Sequence, residues 1–247
     1  GIRDARITLL SDVTHAFYAS MLSGVVGGRC GASEALIDLP KLCASAGVDF
    51  VQGAIKGLSL SERYVSLAGD IRVPFRLLSL DLGSRPSFSN EPTVKAFAVM
   101  NKPVELFLLW WDEFVRSCKD SDQKTLVIVG GDSEAVELAF ALRERLADAA
   151  MIHLIHPGDR LFEGEPVRKD LLALKALKQQ GIVVHLHEYV SEVRESSVLC
   201  GSDFEIPCDK VIWATRAGSS VDWPSRAGLT TDQNGFLCLT ETLQSVS

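Results

Sequence analysis

The residues best able to do chemistry lie between Lys124 and Arg143, in KTLVIVGGDSEAVELAFALR. Thr125 to Val129 is a short β-branched run that reads as a buried strand. Gly130 and Gly131 break it. From near Ser133 an apolar face recurs at helical spacing, through Val136, Leu138, Ala139, Leu142 and Leu146. Strand, glycine turn and helix in that order make the first unit of a dinucleotide-binding fold. There the free N–H groups of the helix start receive a pyrophosphate. Written on G-x-G-x-x-G/A, the key positions are Gly130, Asp132 and Ala135. The first matches and the third is an accepted variant. The second requires glycine, so that the backbone can approach phosphate, and aspartate adds a Cβ and a negative charge. Two unit charges about 5 Å apart repel by roughly 1–3 kcal/mol at effective dielectrics of 80 to 20. Glu134 brings a second negative charge nearby.

Four other groups of residues carry chemical possibilities. Asp12 follows the apolar run RITLL, where the second strand of a dinucleotide fold presents an acid to a ribose hydroxyl. It reads equally as a helix or turn cap. His156 stands at the end of Met151 to Ile155, about 20 residues past the third glycine position, where NAD enzymes carry an acid. With Arg160 it suits a 2′-phosphate, and it suits a surface loop as well. His185 and His187 are two apart in an apparent strand, hence on one face. A metal pair would need further ligands, and the sequence offers none, so no metal site is assigned. The six cysteines, at 30, 43, 118, 200, 208 and 238, show no C-x-x-C or metal spacing. They read as reduced thiols filling core positions.

These residues need elements to position them. Residues 34 to 46 read as an amphipathic helix, with Ile37, Leu39, Leu42 and Cys43 on one side. Asp49 to Gln52 reads as a strand, and Lys56 to Leu67 with Arg72 to Ser79 as a β-meander. Leu77 to Leu82 reads as a buried strand ending at Gly83. A loop at such a strand end is where open α/β sheets bind ligands; here Ser84 and Arg85 occupy it after Gly83, and it reads equally as an ordinary strand-end turn. SFSNEP (87 to 92) is a polar break. Lys95 to Pro103 crosses over, and Pro103 opens a helix to about Ser117. Beyond the central unit come a strand at Met151 to Ile155 and a helix from Glu165 to Gln180, ended by Gly181. Strands follow at Val183 to Tyr189, Ser197 to Leu199 and Lys210 to Ala214, and a short one around Leu237 to Leu239.

The chain resembles the two-dinucleotide flavoproteins of the pyridine nucleotide-disulfide oxidoreductase superfamily. Within it the type II NADH dehydrogenase-like branch, in the form fused to or associated with selenide, water dikinase, is most similar. The resemblance rests on Tyr18 to Gly24, Ile37-Asp38-Leu39, Leu42-Cys43, Ala46-Gly47 before Phe50-Val51, Leu80-Asp81-Leu82-Gly83-Ser84 with Pro86, Lys102-Pro103 and Leu243-Gln244-Ser245. It implies two Rossmann-like FAD- and NAD(P)-binding α/β lobes, each with a β-meander. It also implies hydride transfer from NAD(P)H to FAD and on to an acceptor such as a quinone. No cysteine pair suggests a disulfide acceptor. By resemblance the Gly83–Ser84 loop and Lys102 lie toward the flavin, although Lys102 also reads as a solvated lysine. The strand ending Ala214-Thr215-Arg216 has arginine where the family pattern has glycine, and Arg216 is expected to pair with Asp132 and plug the nucleotide cleft. The resemblance also implies a selenide, water dikinase as the expected partner. The alternative is a catalytically degenerate or truncated nucleotide-fold scaffold.

The lobes are expected as 1–95 (FAD), 96–122 (connecting segment and helix), 123–222 (NAD(P)) and 223–247 (return to the FAD lobe). No strand and glycine turn precede Arg6, and the family's closing Gly-Asp segment lies past residue 247. The FAD lobe is therefore expected to be incomplete and to hold flavin loosely. A net charge of −7 argues against a nucleic-acid or anionic-membrane surface. The longest apolar cluster, Leu106 to Trp111, is far too short to span a bilayer, and the expected location is the cytoplasm.

Overall fold

The computed structural model describes residues 5–87, 91–118, 123–202, 204–215 and 217–247. Its elements, in chain order, are β1 (Thr8–Ser11), β2 (His15–Phe17), α1 (Leu22–Val26), β3 (Leu36–Asp38), α2 (Leu39–Ala46), β4 (Asp49–Gln52), β5 (Ile55–Ser59), β6 (Tyr64–Leu67), β7 (Arg72–Pro74) and β8 (Ser84–Pro86). There follow α3 (Pro92–Phe97), β9 (Ala98–Met100), α4 (Val104–Ser117), β10 (Lys124–Val129), α5 (Ser133–Leu146), β11 (Ala150–Ile155), α6 (Val167–Gln179), β12 (Val183–His185), β13 (Val190–Val193), β14 (Ser197–Cys200), β15 (Glu205–Pro207), β16 (Lys210–Trp213), β17 (Ala217–Ser219) and α7 (Trp223–Arg226). The chain divides into two compact units. Unit 1 is residues 1–18, 36–84 and 218–247, and unit 2 is residues 19–35 and 85–217.

Unit 2 is built on a five-stranded parallel sheet in the order β12-β11-β10-β16-β9. Leu126 to Val129 of β10 and Val211 to Trp213 of β16, at its centre, are continuous buried apolar runs because both faces are covered. One face meets the antiparallel meander β13-β14-β15, with Val127, Val129, Ile155, Val211 and Trp213 packed against Val193, Val198, Cys200, Ile206 and Cys208. Helix α5 packs against β11, and α1 against α5. The buried side of α5 is Ala135, Val136, Leu138, Ala139, Leu142 and Leu146, the face its apolar spacing predicts.

Unit 1 is assembled from smaller pieces: a parallel pair β1–β4, an antiparallel pair β2–β3 and the meander β5-β6-β7. The α/β class with a parallel sheet and β-meanders is thus the observed one. Several details differ from the sequence reading. The expected helix over 34–46 begins at Leu39, because Asp38 caps it by accepting from Lys41 N at 2.9 Å and Pro40 lies in its first turn. Leu36–Asp38 goes instead to β3. Leu77 to Leu82 is irregular rather than a buried strand, and Leu77 is 82% exposed. The crossover at Lys95–Pro103 contains the edge strand β9. Around Leu237 and Leu239 there are isolated bridges to Thr231 and Ser245 rather than a strand.

Candidate functional site

The C-terminal ends of β10, β11 and β16 meet at the glycine turn. Gly130 N donates to Ile155 O, and Ala214 N donates to Val129 O, each at 2.9 Å. Gly130 adopts φ +155°, a region that glycine alone occupies readily. A Cβ there would overlap the Ala214 carbonyl oxygen and come within 2.9 Å of the Ala135 Cβ. A Cβ on Gly131 would overlap the His156 ring, and the Gly131 carbonyl accepts from Phe162 N at 2.9 Å. Packing within the protein therefore requires both glycines.

Asp132 is the N-cap of α5. Its Oδ1 accepts from Ala135 N at 3.0 Å, and its carbonyl accepts from Val136 N at 3.1 Å. The carboxylate satisfies a first-turn donor and faces the positive end of the helix dipole. Ala135 is fully buried. Two lysines reach this first turn. Lys102 Nζ pairs with Glu134 Oε2 at 2.9 Å. Lys169 Nζ donates to Ser133 Oγ and pairs with Glu165 Oε1, each at 3.0 Å, while lying 4.4 Å from the centre of the Phe162 ring.

His156 is 8% exposed, with Nε2 3.7 Å from Glu163 Oε1 and its backbone N–H donated to His185 O at 2.9 Å. The segment after it folds back on the turn, pinned where the buried Asp170 accepts from Leu161 N at 3.0 Å. The structure thus gathers Lys102, Gly130, Gly131, Asp132, Ala135 and His156 at one end of the unit 2 sheet. Lys169, Glu163 and Asp170 belong with them and carried no sequence signal. Their roles depend on how the loop after β11 folds back, and no periodicity encodes that.

Asp12, Gly83 and Ser84 belong to unit 1. Asp12 is exposed just past β1, and its main-chain carbonyl accepts from Gln52 Nε2 at 3.2 Å. Gly83 adopts φ +66° with nothing within 4 Å of an added Cβ. Leu82 O beside it accepts from Ser220 Oγ at 2.7 Å, and Ser84 opens β8. Arg216, and with it the anticipated Asp132–Arg216 pair, lies outside the described residues.

His185 and His187 do not share a strand face, because β12 ends at His185 and His187 turns away with φ +60°. His185 pairs with His153 of β11 instead, Nε2 to Nδ1 at 2.9 Å with the rings stacked. Burial lowers the pKa of both rings, and the charge of a protonated His185 further disfavours protonation of His153. All six cysteines are free thiols, and burial pushes Cys208 up to about 11. Among the described residues no group of three His, Cys, Asp or Glu is arranged to hold a metal, and no helix is long and apolar enough to cross a membrane.

The fit to each nucleotide is different. An exposed carboxylate at the end of a parallel strand, as at Asp12, suits a flavin ribose. At the β10–α5 turn the backbone framework suits a pyrophosphate, but the side chains do not. The Asp132 carboxylate already takes Ala135 N, and it puts negative charge where phosphate charge would come.

Residues 83–246 match the family described as pyridine nucleotide-disulphide oxidoreductase. Among curated proteins no sequence relative matches. The chain superposes on an NAD-dependent persulfide reductase from A. fulgidus (TM-score 0.82, 17% identity, 99% of this chain and 47% of that one). It is also similar to NDH2 from Plasmodium falciparum (0.81, 14%, 99% and 57%). A third similar structure is the sulfide:quinone oxidoreductase of Aquifex aeolicus (0.76, 14%, 92% and 56%). The chain spans about half the length of the solved structures it matches, and at these identities the likeness is one of fold. With the family match covering well over half of its residues, the chain belongs to the pyridine nucleotide-disulphide oxidoreductase family.

Proposed function

We propose that the protein is a flavin-dependent NAD(P)H:acceptor oxidoreductase, taking electrons from NAD(P)H through FAD to a small acceptor such as a quinone. The observation that carries this reading is the β10–Gly130–Gly131–α5 turn, set on a parallel sheet inside the family-matching segment. In this reading 1–95 and 223–247 serve the flavin, 123–222 serve the nicotinamide nucleotide, and 96–122 connect them. Asp12, Gly83, Ser84 and Lys102 are assigned toward FAD. Gly130, Gly131, Asp132, Ala135, His156 and Arg216 are assigned around NAD(P)H. FAD supplies the electron chemistry when bound, while the protein binds and orients. A cytoplasmic location, and a selenide, water dikinase as partner, rest on the sequence reading alone.

The test is the visible spectrum of the protein with added FAD, followed through the flavin bands as NADH or NADPH is titrated. Bleaching of a bound flavin supports the reading. A second reading, a nucleotide-fold scaffold without turnover, is favoured by the Asp132 carboxylate on Ala135 N. A protein that takes up no flavin and responds to neither nucleotide would select it.

A further inference from the structure

A helix of 14 residues presents the equivalent of about half a positive charge at its N-terminus, and an anion is the natural occupant. In α5 that occupant is internal. Asp132 Oδ1 sits 3.0 Å from Ala135 N, as an oxygen of a bound pyrophosphate would. We propose that Asp132 sets the affinity of this protein for nicotinamide nucleotides: its carboxylate stands in for the pyrophosphate at the start of α5, so NAD(P)H binds weakly while it is there. The proposal rests on reading the β10–α5 turn as the nicotinamide-nucleotide site.

Two features separate Asp132 from its surroundings. The first is charge. Lys102 is matched by Glu134, and Lys169 by Glu165. Among the described residues no cation lies within ion-pair distance of Asp132, which adds its own negative charge to the helix start. Without it, two lysines already reaching the first turn would lie beside any incoming phosphate. The second feature is that the turn does not depend on the Asp132 side chain. Gly130 is held by Ile155 O and backed by Ala214, and Gly131 is held by Phe162 N and the His156 ring. Replacing the carboxylate should therefore open the anion position and leave the turn in place.

The experiment is a calorimetric titration of NADH and NADPH, separately, into the wild-type protein, Asp132→Gly and Asp132→Asn. Glycine at Ncap removes the carboxylate and its Cβ. Asparagine keeps a capping oxygen for Ala135 N and removes only the charge. The expected result is a Kd at least about tenfold lower in Asp132→Gly, equal to about 1.4 kcal/mol, and a smaller change in the same direction in Asp132→Asn. If the glycine variant does not fold, the asparagine variant decides alone. Wild-type affinity as tight as that of the variants would overturn the role of Asp132 and leave the nucleotide site standing. No binding of either nucleotide by either variant would overturn both.

Discussion

The two units use parallel strands in opposite ways. In unit 2 the last four residues of β10 are buried, and Leu126, Val127 and Ile128 have no exposed surface. In unit 1 no residue of β1 is buried, and Leu9 is 36% exposed. Both segments are short apolar runs in sequence. They differ in what covers them. β10 has a hydrogen-bonded strand on each side and apolar layers on both faces, whereas β1 pairs in the described residues with β4 alone. A hydrophobic run acquires a large burial free energy only when its neighbours close over it. Stability and precision of side-chain placement are therefore expected to concentrate in unit 2.

The largest effect should come from removing a buried side chain there. Ile128→Ala deletes methyl and methylene groups from a site with no exposed surface and leaves a cavity, at a cost of about 2–5 kcal/mol. Leu9→Ala in β1 starts from a half-solvated side chain and should cost under about 1 kcal/mol. Urea denaturation followed by tryptophan fluorescence compares them, and equal losses would erase the distinction between the units.

A smaller effect tests whether the polar scaffold of the unit 2 site is as fixed as its core. Asp170 is 5% exposed and accepts from Leu161 N, which anchors the loop that folds over the glycine turn. Asp170→Ala strands that buried N–H and should cost about 1–3 kcal/mol. Asp170→Asn retains an acceptor oxygen and should cost less. If the two variants were equally stable, the hydrogen bond would not be what holds the loop.

How far the sequence could be read follows the same division. β10, the glycine turn and α5 are legible because a buried strand is a continuous apolar run and a half-buried helix repeats at its own period. Asp132 is legible as a departure from the glycine pattern, but its capping of Ala135 N is seen only in the structure. Leu77 to Leu82 looks like the same kind of strand and is not one. Its hydrogen bonding runs through Leu82 O to the Ser220 hydroxyl, and Gly83 at φ +66° bends the chain away. β9 is only three residues long, and its strand character comes from register with β16, Val211 opposite Ala98 and Trp213 opposite Met100. The site residues missed, Lys169, Glu163 and Asp170, converge through the fold of one loop. The His153–His185 pair likewise exists only because β11 and β12 align with Ile155 opposite His185. Local propensity is readable along a chain; contacts fixed by register between distant strands are not.

That histidine pair provides the finest test of unit 2, through pH. Both rings have pKa values lowered from the ordinary value near 6.5, chiefly by burial, and for His153 also by the charge on His185. Glu188 acts the other way on His185, and Phe204 packs beside it. The folded state therefore holds these rings neutral, while the unfolded chain takes up protons first as the pH falls. Their contribution to stability is complete above the unfolded value, near 6.5, and is lost as pH falls from there through the lowered folded values. Both rings are only partly buried, so solvent screening keeps the loss below that of Asp170→Ala. Urea midpoints at pH 7.5 and 5.5 should fall more for the wild type than for a His153→Asn, His185→Asn double variant, which has no imidazole to charge at either position. An equal fall in both proteins would assign the pH dependence to other groups and leave the stacked pair a neutral packing contact.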